Sequence, residues 1–154
     1  MRARRMVLVS ATAVVTAALG AVSSLPAEAA QGFSIATTSR GIDDGSTHAT
    51  GSITFTGEKS FRISSTVWDS CPGDGRGAYL AMAVQFMDGS GYAYSWGSAF
   101  NKDTNGCDNG KISNTVTRTY GKRVKNVSVT LFETDTHPPA YQSVSSSKKD
   151  NPNT

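Results

Sequence analysis

Leu80, Met82, Val84 and Phe86 alternate with Tyr79, Ala81, Ala83 and Gln85. That period of two limits what this chain can fold into more than any other feature. A strand sends successive side chains to opposite faces, so the run has one greasy side to bury. The pattern recurs along the chain: Phe33 and Ile35, Ile53 and Phe55, then Phe61, Ile63 and Val67. Further on come Tyr92, Tyr94 and Trp96, then Ile112, Asn114 and Val116, and then Val127, Val129 and Leu131. A last short run holds Tyr141 and Val144, after His137-Pro138-Pro139. Gly57-Glu58-Lys59-Ser60 and Asp88-Gly89-Ser90-Gly91 separate neighbouring runs and read as hairpin turns.

Leu and Glu are scarce between these runs, and nothing there could form the crossover helices of a parallel sheet. The chain is therefore expected to be all-β: an antiparallel β-sandwich of about 7–8 short strands. A small β-barrel is the alternative, since strand count does not separate the two.

The beginning of the chain reads as an address. Arg2, Arg4 and Arg5 precede an apolar run that ends in Pro26-Ala27-Glu28-Ala29-Ala30. This is the charged start, greasy middle and small-residue exit of a signal peptide, with cleavage expected after Ala29. Ser10, Thr12, Thr16, Ser23 and Ser24 dilute the run, which disfavours an uncleaved membrane anchor. The expected organisation is a signal peptide at 1–29, a secreted domain at 30–147 and a polar tail at 148–154. The tail has no apolar side chain to bury. Of the net charge of +3, the leader holds three arginines and one glutamate, so the mature chain keeps +1. Basicity is then no argument for a nucleic-acid partner. Lys122, Arg123 and Lys125 read as the solvated side of a strand start.

Cys71 and Cys107 are the only cysteines. Outside the cell a lone pair in a small domain is expected to join. The loop so closed spans roughly 37 residues, for which the chain-entropy model gives about 4 kcal/mol. Such a bridge would bring Asp69, Asp74, Asp103 and Asp108 to one end of the domain. Asp103, Asn105 and Asp108 are weak calcium candidates, because carboxylates and carbonyls on a Gly-rich loop suit that ion. The same residues make tight turns without any metal, and that is the preferred reading. No cofactor is expected.

Tyr92, Tyr94 and Trp96 share one side of their expected strand. They read first as core, with an exposed recognition strip for a sugar or protein as the alternative. Trp68 is expected to pack on the disulfide. His48 and His137 belong to no metal-ligand spacing, and no Gly-x-Ser-x-Gly elbow supplies a nucleophile. The chain is not expected to be an enzyme.

The arginine-led, alanine-rich leader, Asp69-Ser70-Cys71-Pro72-Gly73-Asp74-Gly75 and Asn105-Gly106-Cys107 resemble small secreted single-disulfide β proteins of actinobacteria. The resemblance implies an extracellular, bridged β domain and carries over no functional residue. The leading expectation is a secreted, non-catalytic binding or assembly module with an extracellular protein or polysaccharide as partner. A secreted inhibitor of a hydrolase, inserting residues 72–77, is the second; an unmarked extracellular hydrolase is the third. No nucleic-acid partner and no stable membrane insertion after leader removal are expected.

Overall fold

Each long alternating run becomes a strand that hides one face. The computed structural model describes residues 29–38, 45–70, 77–93, 96–104, 110–134, 141–146 and 148–154. The strands are β1 (Ala30–Thr38), β2 (Ser46–Gly57), β3 (Ser60–Ser70), β4 (Ala78–Phe86) and β5 (Gly91–Ala93). They continue as β6 (Asn101–Asp103), β7 (Ile112–Thr119), β8 (Val124–Thr134), β9 (Tyr141–Ser145) and β10 (Lys149–Asp150). A single 3₁₀ turn, Trp96–Ser98, is the only helical element among the described residues.

All pairings between these strands are antiparallel. The first sheet has the order β1-β2-β3-β7. The second is built on the β4–β8 pair: β5 and β6 share the free side of β4, and β9 and β10 share that of β8. The two sheets face each other and do not close into a barrel, as expected for a β-sandwich.

Phe55, Phe61, Ile53, Ile63 and Val67 of the first sheet meet Leu80, Leu131, Val127 and Val129 of the second, all buried. Each such side chain contributes about 1.5–3 kcal/mol on leaving water. Gly51 makes one inward position possible: a Cβ there would lie 2.7 Å from the Phe33 ring and 2.2 Å from the Ser64 carbonyl. Phe33 pairs with Gly51 across β1 and β2 and covers the gap the glycine leaves.

Two expectations are corrected. The strand through Tyr92, Tyr94 and Trp96 stops at Ala93, because the β4 edge it would extend along is taken by β6 at Ala78, Tyr79 and Leu80. β6 itself consists of Asn-Lys-Asp and carries no apolar signal. Residues 148–154 are not a free tail. Lys149 and Asp150 pair with Val127 and Asn126 of β8, and Asn151 is 4% exposed. Its Nδ2 donates to the carbonyls of Gly57, Glu58 and Val124, at 3.1, 3.3 and 3.1 Å. A buried amide surrounded by carbonyls does the anchoring that apolar residues usually do. The signal peptide lies outside the described residues, apart from Ala29.

Candidate functional site

The large apolar residues of the first sheet, Phe33, Ile53, Phe55, Phe61, Ile63 and Val67, point inward, so its outward residues fall at the alternate positions, which hold mostly Ser and Thr. Register then sorts them into rows across the strands. One row is Ser34, Thr50, Thr66 and Ser113; the next is Gly32, Ser52, Ser64 and Thr115. Strands lie about 4.8 Å apart, and the rows about 7 Å. Hydroxyls hold one another within a row: Thr66 Oγ1 to Ser113 Oγ at 2.8 Å, and Ser64 Oγ to Thr115 Oγ1 at 3.2 Å.

A groove of about 310 Å³ runs between the two rows. Thr50, Thr66 and Ser113 form one wall, and Ser52, Ser64 and Thr115 the other. Gly51, Ser65 and Asn114 point inward from the same strands, so backbone forms the floor. Arg62 is the single Lys, Arg, Asp or Glu among the outward strand residues of this sheet. A solvent-facing sheet usually carries several charges, so this face is unusually neutral.

One end of the face carries an aromatic row. His48 and Trp68 are cross-strand neighbours whose rings stack at 5.1 Å with 10° between their planes. Ser46 Oγ lies 3.1 Å from His48 Nε2 and helps hold the imidazole. Lys111 Nζ sits 4.4 Å from the centre of the Trp68 ring. Imidazole and ammonium therefore engage the indole together, a cation–π arrangement that leaves little ring face for a ligand. Trp68 faces outward on β3; the cysteines on which it was expected to pack lie outside the described residues.

Tyr92 is 57% exposed, which corrects its reading as core. Its ring ends an aromatic chain: Phe55 meets Phe61, Phe61 meets Tyr120, and Tyr120 meets Phe86 and Tyr92. Tyr94 lies outside the described residues, and Trp96 opens the 3₁₀ turn rather than continuing the strand. Tyr92 and Trp96 thus do not lie on one strand.

At the opposite end from Tyr92, three carboxylates are buried: Asp69 at 8%, Asp103 at 1% and Glu133 at 2% exposure. Asp103 and Glu133 lie on either side of Ala78 in adjacent strands. Asp103 Oδ2 accepts the Asp69 backbone N–H at 3.3 Å. Gly77 lets the strands approach here, since a Cβ on it would lie 2.5 Å from the Asp103 carbonyl. Among the described residues no group of three His, Cys, Asp or Glu side chains is placed to hold a metal ion. Of the calcium candidates, Asp103 is in this buried end; Asn105 and Asp108 lie outside the described residues. So do Cys71, Cys107, His137 and all but Gly77 of the expected inhibitory segment 72–77.

The cationic group near Tyr92 behaves as its sequence suggested. Lys122 pairs with Asp88 at 2.7 Å, and Arg123 with Glu58 at 3.1 Å, just ahead of β8. The ammonium of Lys122, then the hydroxyl and N–H of Ser90, hold the Asp88 carboxyl at about 2, below its ordinary 3.8.

The hydroxyl groove had a signal in the sequence, the Ser and Thr at alternate positions of three segments. Which of them become neighbours depends on register, which alternation does not give. No protein family, curated protein or solved structure matches the chain.

Proposed function

We propose that this protein is a secreted, non-catalytic binding module that holds a neutral polyhydroxylated chain, a polysaccharide, in the groove across its first sheet. The observation that carries this reading is the pair of facing hydroxyl rows: Thr50, Thr66 and Ser113 against Ser52, Ser64 and Thr115. A hydroxyl both donates and accepts, so it matches sugar hydroxyls in either role, directly or through water. A charged ligand would find no counter-ion in the groove. The lining also holds no acid, base or histidine to move a proton, which favours binding over turnover.

Secretion rests on the leader with Arg2, Arg4 and Arg5 and the small residues before Ala30. It agrees with a disulfide between Cys71 and Cys107. Asp69 and Asp103 are in hydrogen-bond contact, and the cysteines follow them by two and four residues. At about 3.3–3.6 Å per residue, both thiols can reach a common point beyond that contact.

The test is depletion of the purified protein from solution by insoluble polysaccharides such as cellulose, chitin and bacterial wall material. At least one should remove it. Replacing Thr50 and Thr66 together by Glu should weaken that binding roughly tenfold or more, because a carboxylate loses water there without a cation to pair with. Thermal melting checks that the variant is folded. No depletion by any polymer, or equal depletion by the folded variant, rejects the reading.

A further inference from the structure

The sandwich has several strand edges, and among the described residues all but one are guarded. β5 and β6 are three residues each. β9 and β10 are five and two residues long. β1 is laced to β10 by Gln31 Nε2, which donates to the Asp150 carbonyl at 2.7 Å. β7 differs. It is eight residues long, pairs with β3 without a bulge, contains no proline and carries one charge, Arg118. Short strands, prolines, bulges and charges are the devices that keep edges from pairing with other chains, and β7 has almost none of them.

The free side of β7 can be read from its other side. Tyr120 N–H donates to the Lys59 carbonyl at 3.0 Å, continuing the β3–β7 register. Hydrogen-bonded pairs alternate along an antiparallel ladder. The backbone groups of Ile112, Asn114, Val116 and Arg118 therefore address β3, and those of Ser113, Thr115, Thr117 and Thr119 point away. The inward side of β7 is also poorly covered, with Ile112 36% exposed.

The segment 112–120, Ile-Ser-Asn-Thr-Val-Thr-Arg-Thr-Tyr, is a palindrome of residue classes about Val116. We infer that β7 pairs antiparallel with β7 of a second copy about a two-fold axis at Val116, joining two four-stranded sheets edge to edge. In that register Val116 meets its own copy, Ile112 meets Tyr120, and Asn114 meets Arg118. On the outer face Ser113 meets Thr119 and Thr115 meets Thr117. Apolar residues face apolar ones, hydroxyls face hydroxyls, and the cation faces a neutral amide. The outward-pointing backbone groups of Thr115 and Thr117 fall opposite each other, as a ladder requires. A shift of two residues toward the strand start would set Ile112 against Arg118 and Asn114 against Val116, losing the match. Isologous contacts of this kind close as dimers. The pairing also continues the hydroxyl rows of the outer face from one copy to the next, although it does not depend on what those rows bind.

Sedimentation equilibrium of the purified full chain should find a dimer at millimolar concentration. Val116→Lys, which opposes two ammonium groups at the axis, should weaken it roughly tenfold or more. Asn114→Glu, opposite Arg118, gives up the hydrogen bond of the Asn114 amide to the Phe100 carbonyl within one copy but should tighten the dimer. In the register named, Val116 is a non-hydrogen-bonded pair, with Cα atoms about 4.5 Å apart. Val116→Cys should therefore form an intermolecular disulfide on oxidation, and Thr115→Cys should not. A monomer throughout, a dimer unaffected by Val116→Lys, or cross-linking by Thr115→Cys in place of Val116→Cys would each overturn the inference. The Asn114→Glu arm keeps it testable if Val116→Lys fails to fold.

Discussion

The two ends of the sandwich are closed by opposite means. At one end the β2–β3 and β7–β8 connections meet the turn after β4, and rings from Phe55 to Tyr92 run from core to surface. Val124 N–H donates to the Glu58 carbonyl there at 2.8 Å, tying one sheet to the other. At the other end the interior holds Thr47, Asp69, Asp103 and Glu133, all buried. Apolar groups close an end by leaving water and need no exact partner. Polar groups close it only if each finds one. The first end should therefore tolerate small shifts, and the second should be sensitive to the fate of single atoms.

The largest effect expected is at the one exception to this contrast, Asn151, a polar residue that plugs the aromatic end. Asn151→Ala removes the amide from the Gly57, Glu58 and Val124 carbonyls and should cost about 1–3 kcal/mol in denaturant unfolding. A negligible loss would mean that the C-terminal residues contribute nothing to closing that end.

A smaller effect of opposite sign is expected at the acidic end. Thr47 Oγ1 is buried and has no hydrogen-bond partner among the described residues. Thr47→Val keeps the shape and removes the unsatisfied oxygen, so it should stabilise the fold by about 1 kcal/mol. Destabilisation would show that the hydroxyl is satisfied in solution.

The smallest effect concerns the exposed Asp88–Lys122 pair. The folded carboxyl is a stronger acid than its ordinary form, with a pKa of about 2 against 3.8. Its contribution is therefore complete above about pH 3.8 and disappears as the pH falls through about 2. Lys122, in turn, is raised above its ordinary 10.5 by the same pair. Asp88→Asn should lower the melting temperature slightly at neutral pH, less at high salt, and progressively less as the pH falls through about 2. A difference that persists in strong acid would assign the effect to the turn rather than to the charge.

Legibility followed the same division. The strands whose apolar faces alternate, β2, β3, β4 and β8, were readable because burial in a sheet leaves a period-two trace. β6 and β10 were not, since Asn-Lys-Asp and Lys-Asp are held by pairing with strands remote in sequence. Tyr92, Tyr94 and Trp96 misled for a related reason. Their spacing suits a strand, but an edge has room for only so many partners, and β6 competes for β4. The hydroxyl groove was half legible: its residues were visible, its rows were not.

Sequence alone determined that this chain makes antiparallel sheets around an apolar interior, because side-chain period is a local property that pleating converts directly into burial. Only the tertiary structure decided which Ser and Thr stand side by side, that Asn151 plugs one end, and which edge stays open. Those outcomes depend on register and on contacts between segments far apart along the chain, where no local pattern reaches.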